Sequence, residues 1–363
     1  MAGSESKPTF GTTLGSFVLL TGAPLWSFWN VQVVQQYNGS LSAWWNAVSS
    51  QPAATTLRDM YMPNPYGTCE AWTFVALSFV WAIIGTYLCS FKDAYGPVTA
   101  KGDRPKYKSG GVLYFTASLL LYYGGYKLGY YNFGFVYDHF KEIIKCLNLF
   151  ALGFCALLYI KGLYFPSGPD HSATGNFIFD YYWGTELHPN MFGLKVKQVT
   201  NCRIGMTYWG VFNLAFAAKQ FELYGSVTNT MLLSVLLQFV YIYKFFYWEV
   251  GYFSTLDIMY DRAGFYICWG CLVFLPSFYI SPAHFLVENP ENWTTTFATL
   301  IMFLGSYSIY VNYDADRQKQ HFRAVNGKCK IWGRDAQYIT ASYKAPDGSN
   351  KESLLLVSGW WGI

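Results

Sequence analysis

Six long stretches of this chain hold no Asp, Glu, Lys or Arg. They run between Lys7 and Arg58, Glu70 and Lys92, Lys108 and Lys127, Glu222 and Lys244, Arg262 and Glu288, and Glu291 and Asp314. The hydrocarbon core of a bilayer is about 30 Å thick, so a crossing helix needs about 20 mostly apolar residues. Each stretch is long enough to supply one. Inside lipid a backbone has no water to bond, and only helices or closed barrels satisfy their own polar groups there. The expected fold class is therefore all-α, a polytopic transmembrane helical bundle.

Composition agrees with that reading. Hydrophobic residues make up 53% of the 363 and charged residues 13%, against a soluble norm of about 25% charged. Spans are expected near 13–33, 71–91, 111–130, 144–159, 204–218, 226–243, 264–282 and 294–313. The closing SLLLVSGWWGI is expected to open a ninth, so the bundle has eight complete spans and the start of another. No internal repeat, low-complexity tract or soluble domain interrupts the chain, and residues 1–363 are expected to form a single membrane domain. The N-terminus lacks the basic region and small-residue cleavage site of a signal peptide, so the first span is expected to act as an uncleaved anchor.

Loop charge orients the bundle. With a cytoplasmic N-terminus, Lys101, Arg104, Lys106 and Lys108 fall inside, as do Lys195, Lys197 and Arg203. The opposite loops are nearly free of cations apart from Arg58, and they carry the glycosylation acceptor patterns at Asn38 and Asn292. Even span number and the excess of Lys and Arg on one side agree. The eight cysteines are scattered, mostly in apolar runs, so no disulfide framework is expected. Cys268 and Cys271 read as small buried apolar groups rather than a redox pair.

The most basic run comes after the eighth expected span. Between Asp314 and Lys351 eight Lys and Arg face four Asp, a net +4 that equals the charge of the whole chain. If DRQKQHFR continues as helix, Lys319 and Arg323 are neighbours on one face. Two fixed cations there suit a polyanion such as a nucleotide phosphate, or they only mark the cytoplasmic side.

Three carboxylates, Glu249, Asp257 and Asp261, lie at the edge of apolar sequence, where ionisable groups are costly and tend to mark function. They also read as interfacial carboxylates, with Asp261 capping the seventh span. Glu186, beside Tyr181, Tyr182 and Trp183, reads as a satisfied interface carboxylate. Lys219 and Glu222 are expected to pair across one helical turn. The five His are 32, 17, 96 and 37 residues apart, which excludes the clustered boxes of a membrane di-iron enzyme, and no metal-ligand spacing occurs. No Rossmann or P-loop glycine pattern is present. In a membrane setting the basic residues do not point to nucleic acid.

Four separated motifs add more. DRQKQHFR with GKCKIWGR, then LLLVSGWWG, then GTELHP with TNCRIGM, and LDIMYDRAGFYICWGC together resemble the sterol reductase family, multi-span enzymes of the endoplasmic reticulum. The TNCR and ICWGC wording, with the linker GPVTAKGDRPKYKSGG, is most similar to the sterol Δ7 reductases of plants and protists. The resemblance implies NADPH-dependent reduction of the C7–C8 double bond of a 7-dehydrocholesterol-like substrate. It also implies a cytosolic cofactor loop at 314–352, with Lys319, Arg323, Leu356 and Trp361 at the cofactor. Membrane lipid and other sterol-biosynthesis enzymes are the implied partners. Asp257 and Tyr260 are the candidates for the acid or its relay, with Glu249 secondary and no metal involved. Relatives generally carry His where this chain has Tyr260, and usually Arg where it has Asn190. Their pattern continues past WWG, so the family's C-terminal spans are expected to be missing here. The alternatives are a sterol-binding protein or inactive fragment of the same fold, and reduction at C14.

Overall fold

The computed structural model describes residues 7–52, 54–56, 58, 64–344 and 349–363. They divide into two compact units, residues 7–293 and 294–363.

In the first unit the long helices are α1 (Phe10–Tyr37), α3 (Cys69–Leu88), α4 (Gly111–Lys127), α5 (Phe140–Tyr164), α6 (Met206–Tyr224), α7 (Asn229–Tyr247) and α8 (Phe265–Glu288), with a short α2 (Leu41–Ser49) after the first. Threonine starts several of them. Thr9, Thr68 and Thr228 each accept a hydrogen bond from a backbone N–H of the first turn, which satisfies a donor the helix cannot. Asn38 closes α1 in the left-handed conformation, at φ 55°. In α8 a π-helical turn at Gly270–Phe274 sits just before Pro276, whose missing N–H interrupts the regular ladder.

Every expected span of this unit falls on a helix. Among the described residues five helices (α1, α3, α5, α7 and α8) are long and apolar enough to cross a membrane. α4, with 17 residues, and α6, which carries Lys219 and Glu222, do not meet that measure. The helices carry little segregation of polar and apolar faces, as suits elements surrounded by lipid and one another. Polar bridges tie them together: Asn148 of α5 donates to Ser27 of α1 (3.0 Å) and accepts from the indole of Trp269 in α8 (2.9 Å). Gln238 of α7 accepts from Trp209 (2.6 Å) and Asn213 (2.9 Å) of α6. In lipid, such bonds between helices contribute about 1 kcal/mol each. Phe140 and Phe216 are fully buried against His284, and Phe212 packs on Phe140 in the same core. Lys219 does pair with Glu222 (3.4 Å), and more closely with Asp138 (2.7 Å).

The fold is not purely helical. The linker expected as a basic loop folds back as a hairpin, β1 (Lys92–Tyr95) against β2 (Lys106–Ser109), fastened by Asp93 to Lys106 (2.7 Å) and Lys108 (3.0 Å).

The second unit begins with α9 (Thr295–Ala324), capped by Thr294. The helix runs unbroken through DRQKQHFR, which meets the condition for Lys319 and Arg323 to be neighbours on one face. The closing apolar segment, however, does not open a ninth span. It pairs as β4 (Asn350–Leu356) with β3 (Tyr338–Lys344), and a short 3-10 turn covers Gly359–Gly362. Backbone groups that a helix would satisfy internally are satisfied across this antiparallel ladder instead. Phe322, Ile331 and Leu356 form the small core of the unit. Residues 345–348 of the expected cofactor loop lie outside the described residues.

Candidate functional site

Two sequence signatures far apart in the chain close on one another in the first unit. Gly184, at φ 100°, lies against Gly264, and a Cβ built on Gly264 would stand 2.3 Å from the Gly184 nitrogen. Only glycine permits both that conformation and that approach. Beside it, the Ala263 N–H donates to the Glu186 carbonyl (3.0 Å) and the Arg262 guanidinium to the Ser172 carbonyl (2.8 Å). Glu186 is the satisfied carboxylate the sequence suggested: it pairs with Lys161 (2.8 Å) and accepts from the Ser167 N–H (2.6 Å).

Lys197 fixes the loop that carries the acid candidates. Its buried ammonium donates to the carbonyls of Asp257 (3.1 Å), Ile258 (2.6 Å) and Asp261 (2.7 Å). An ammonium has three donors, and here each has its acceptor. Burial pushes the pKa of Lys197 down to about 7, while three carbonyl dipoles aimed at the nitrogen favour the charged form. On the loop so held, Asp257 and Tyr260 are exposed, Tyr260 by 62%. Asp261 does not cap α8, whose cap position is Gly264 and carries no side-chain bond. The pKa of Asp261 is raised by burial and by the neighbouring Asp257 charge. His188 packs behind Lys195 and Lys197, and burial followed by those two charges lowers its pKa to about 3.

Glu249 sits apart from Asp257 and Tyr260 in its bonding. It is buried and paired with the equally buried Arg203. Arg203 also donates to the Lys108 carbonyl (3.0 Å) and lies 5.0 Å from the Tyr114 ring centroid. Such a pair is costly to desolvate and still costlier to break. Sequence reasoning treats Lys197 and Arg203 only as loop cations. The available signal is position: Arg203 stands at the rim of the expected fifth span, where a charge is expensive.

Arg203 lines a cavity of about 340 Å³ between α3, α4 and the start of α6. Its walls are largely aromatic, including Phe74, Trp81, Tyr114, Tyr122 and Tyr208. That size lies within the range of small-molecule sites.

In the second unit, Lys319 and Trp361 meet. The ammonium lies 4.3 Å from the indole ring centroid, within cation–π range. The Trp361 indole N–H donates to the Ala315 carbonyl (2.8 Å), and the neighbouring Trp360 donates to Asp314 (2.9 Å). Gly359, at φ 65°, makes the tight return possible: a Cβ there would stand 2.1 Å from the Gln318 amide oxygen. Arg323 is exposed one turn beyond Lys319, and Leu356 is buried beneath. Among the described residues neither Lys319 nor Arg323 has a carboxylate partner. Two cations without a carboxylate partner, one of them over an exposed indole, suit a phosphate-bearing ring compound, so these residues fit a dinucleotide.

The chain matches the ergosterol biosynthesis ERG4/ERG24 family over residues 4–363. It is 45% identical over 300 residues to the 7-dehydrocholesterol reductase of Arabidopsis thaliana, covering 82% of this chain and 69% of that protein. With the 7-dehydrocholesterol reductase of Xenopus laevis it shares 33% identity over 362 residues, 95% of this chain and 76% of the relative. A Delta(14)-sterol reductase from Methylotuvimicrobium alcaliphilum is 35% identical over 265 residues, 72% of this chain and 59% of that protein.

Proposed function

Because the chain belongs to the ERG4/ERG24 family of sterol reductases, we propose that it reduces the C7–C8 double bond of a 7-dehydrocholesterol-like sterol. NADPH is the proposed hydride source. The setting is the endoplasmic reticulum membrane, with 314–352 as a cytosolic cofactor loop in one membrane domain. The observation that carries this reading is the meeting of Lys319 and Trp361, 42 positions apart in sequence and both marked by their motifs as cofactor residues. The higher identity to the plant Δ7 relative than to the Δ14 relative favours C7 over C14.

Bound there, NADPH would supply the hydride. Lys319 and Arg323 would take its phosphates, Trp361 would offer a ring face, and Leu356 would hold the floor of the site. An alkene is not polarised by a carbonyl, so a protein acid must deliver a proton to one carbon as positive charge develops on the other. Asp257 and Tyr260 are assigned that role, on a loop that Lys197 keeps in place. Glu249 has its charge committed to Arg203 and serves as an anchor.

The test is direct. Membranes containing the chain are given 7-dehydrosterol and NADPH, and the C7-saturated product is measured by mass spectrometry. Product is expected. Its absence, with the chain intact in the membrane and still binding sterol, favours the non-enzymatic reading.

A further inference from the structure

We infer that α2 lies in the membrane interface beside the end of α1, and that the two helices hold the ester-carbonyl region of a diacyl glycerolipid between them. Alone, α2 has little to keep it folded. It has 9 residues, none of them buried, and helices shorter than about 12 residues are marginal in water. Its apolar residues Leu41, Trp44, Trp45 and Val48 share one face at helical spacing, with Ser42, Asn46 and Ser49 on the other. Trp44 and Val48 are half-buried, whereas Leu41 and Trp45 are 58% and 62% exposed. Asn38 and Gly39, both in the left-handed conformation, turn the chain so that α2 leads directly off the spanning helix α1. The uncovered apolar edge is thus continuous with a helix that lies in lipid, and the same bilayer is what covers it.

The contact of Trp44 with α1 gives the depth and the chemistry. Its ring meets Trp29 edge to face, with centroids 5.7 Å apart. Trp29 lies about 12 Å of helix axis from Tyr37, below Gln32, Gln35 and Gln36, which end the apolar run of α1. That is the level at which hydrocarbon gives way to polar lipid groups and where Trp is favoured. Both indole N–H groups are buried there, and among the described residues neither has an acceptor. In an edge-to-face pair at most one N–H can point into the other ring, so the rings do not satisfy both. An indole only donates, and a donor left unpaired away from water is costly. The ligand therefore brings acceptors at the hydrocarbon boundary, where the two ester carbonyls of a glycerolipid lie. No charged residue occurs between Lys7 and Arg58, so the charge of the headgroup is not read. Only α1 and α2 take part, and the site does not rest on the proposed reaction.

The full chain is placed in bilayers of a diester phosphatidylcholine or of its diether analogue, which lacks only the carbonyls. Hydrogen exchange of the amides of 41–49 is followed by mass spectrometry. Exchange is expected to be roughly tenfold slower in the diester bilayer, the effect of two modest hydrogen bonds. Trp29→Phe with Trp44→Phe should abolish that difference, and a diester phosphatidylglycerol should protect as well as the phosphatidylcholine. Leu41→Gln with Trp45→Gln should speed exchange in both bilayers, while Ser42→Gln with Asn46→Gln, on the opposite face, should not. Unchanged exchange across 206–224 guards against a folding defect in the variants, and the comparison of the two bilayers needs no variant. Equal exchange in the two bilayers overturns the carbonyl ligand, and indifference to Leu41→Gln with Trp45→Gln overturns the interfacial seat. Protection that appears only on adding sterol, or only in native membranes, assigns the face to a sterol or to a protein partner and overturns the glycerolipid.

Discussion

Gly184 and Gly264 touch backbone to backbone, so the GTELHP and DRAGF segments are joined where no side chain intervenes. Gly264→Ala is expected to push these segments apart, costing about 1–3 kcal/mol as overpacking does. Gly184→Ala adds the strain of a positive φ. Thermal unfolding in detergent should show both as destabilised, with Gly184→Ala the worse.

Lys197 holds the acid-bearing loop through three backbone carbonyls. Lys197→Met keeps the stem and removes three hydrogen bonds. Hydrogen exchange across 256–263 should speed up, and kcat should fall about tenfold or more while the NADPH KM changes little. Unchanged exchange in that loop would show that its position is set by something else.

Arg203 and Glu249 are both buried, so breaking the pair from one side leaves a stranded charge. Arg203→Met alone is expected to cost about 3–5 kcal/mol. The double variant Arg203→Met, Glu249→Gln should recover much of that, and a double-mutant cycle of unfolding midpoints reads the difference.

His188 gives the molecule an acid sensitivity. Its folded pKa of about 3 lies below the ordinary value of 6.5, so between these values the unfolded chain binds the extra proton. Its contribution is complete above pH 6.5 and is lost as the pH falls toward 3. At pH 5 that is about 2 kcal/mol, using about 1.4 kcal/mol per pH unit. His188→Asn should flatten the stability profile between pH 7 and 5, measured as residual fold after heating in detergent.

For the proposed reaction, Asp257→Asn should lower kcat by about 10²–10⁴-fold with the fold retained. Lys319→Ala and Arg323→Ala should instead raise the NADPH KM and leave sterol affinity unchanged. NADPH dependence indifferent to both changes would remove these cations from the cofactor site.

Much of the helical layout was legible because charge is so costly in lipid that its absence marks the spans. The end of the chain was not. SLLLVSGWWGI is a short apolar run, and such a run reads equally as strand or helix; its pairing with 338–344 decided the matter. The meeting of Lys319 with Trp361 was foreshadowed by motif, since each belongs to wording shared with relatives. The roles of Lys197 and Arg203 were hidden because a basic residue in a loop looks the same whether it faces water or a ring of carbonyls. The Gly184–Gly264 contact was equally hidden, since nothing in local spacing announces which distant glycine will arrive.

The grip of Lys197 on carbonyl oxygens has an evolutionary corollary. Main-chain acceptors are common to all residue types, so the hydrogen bonds of the tether survive substitution at 257, 258 and 261, while the charges of Asp257 and Asp261 add to the hold on the ammonium. The side chain at 260, Tyr in this chain, can be exchanged without removing those carbonyl acceptors. Chemistry at that position can drift or be engineered while its address stays fixed.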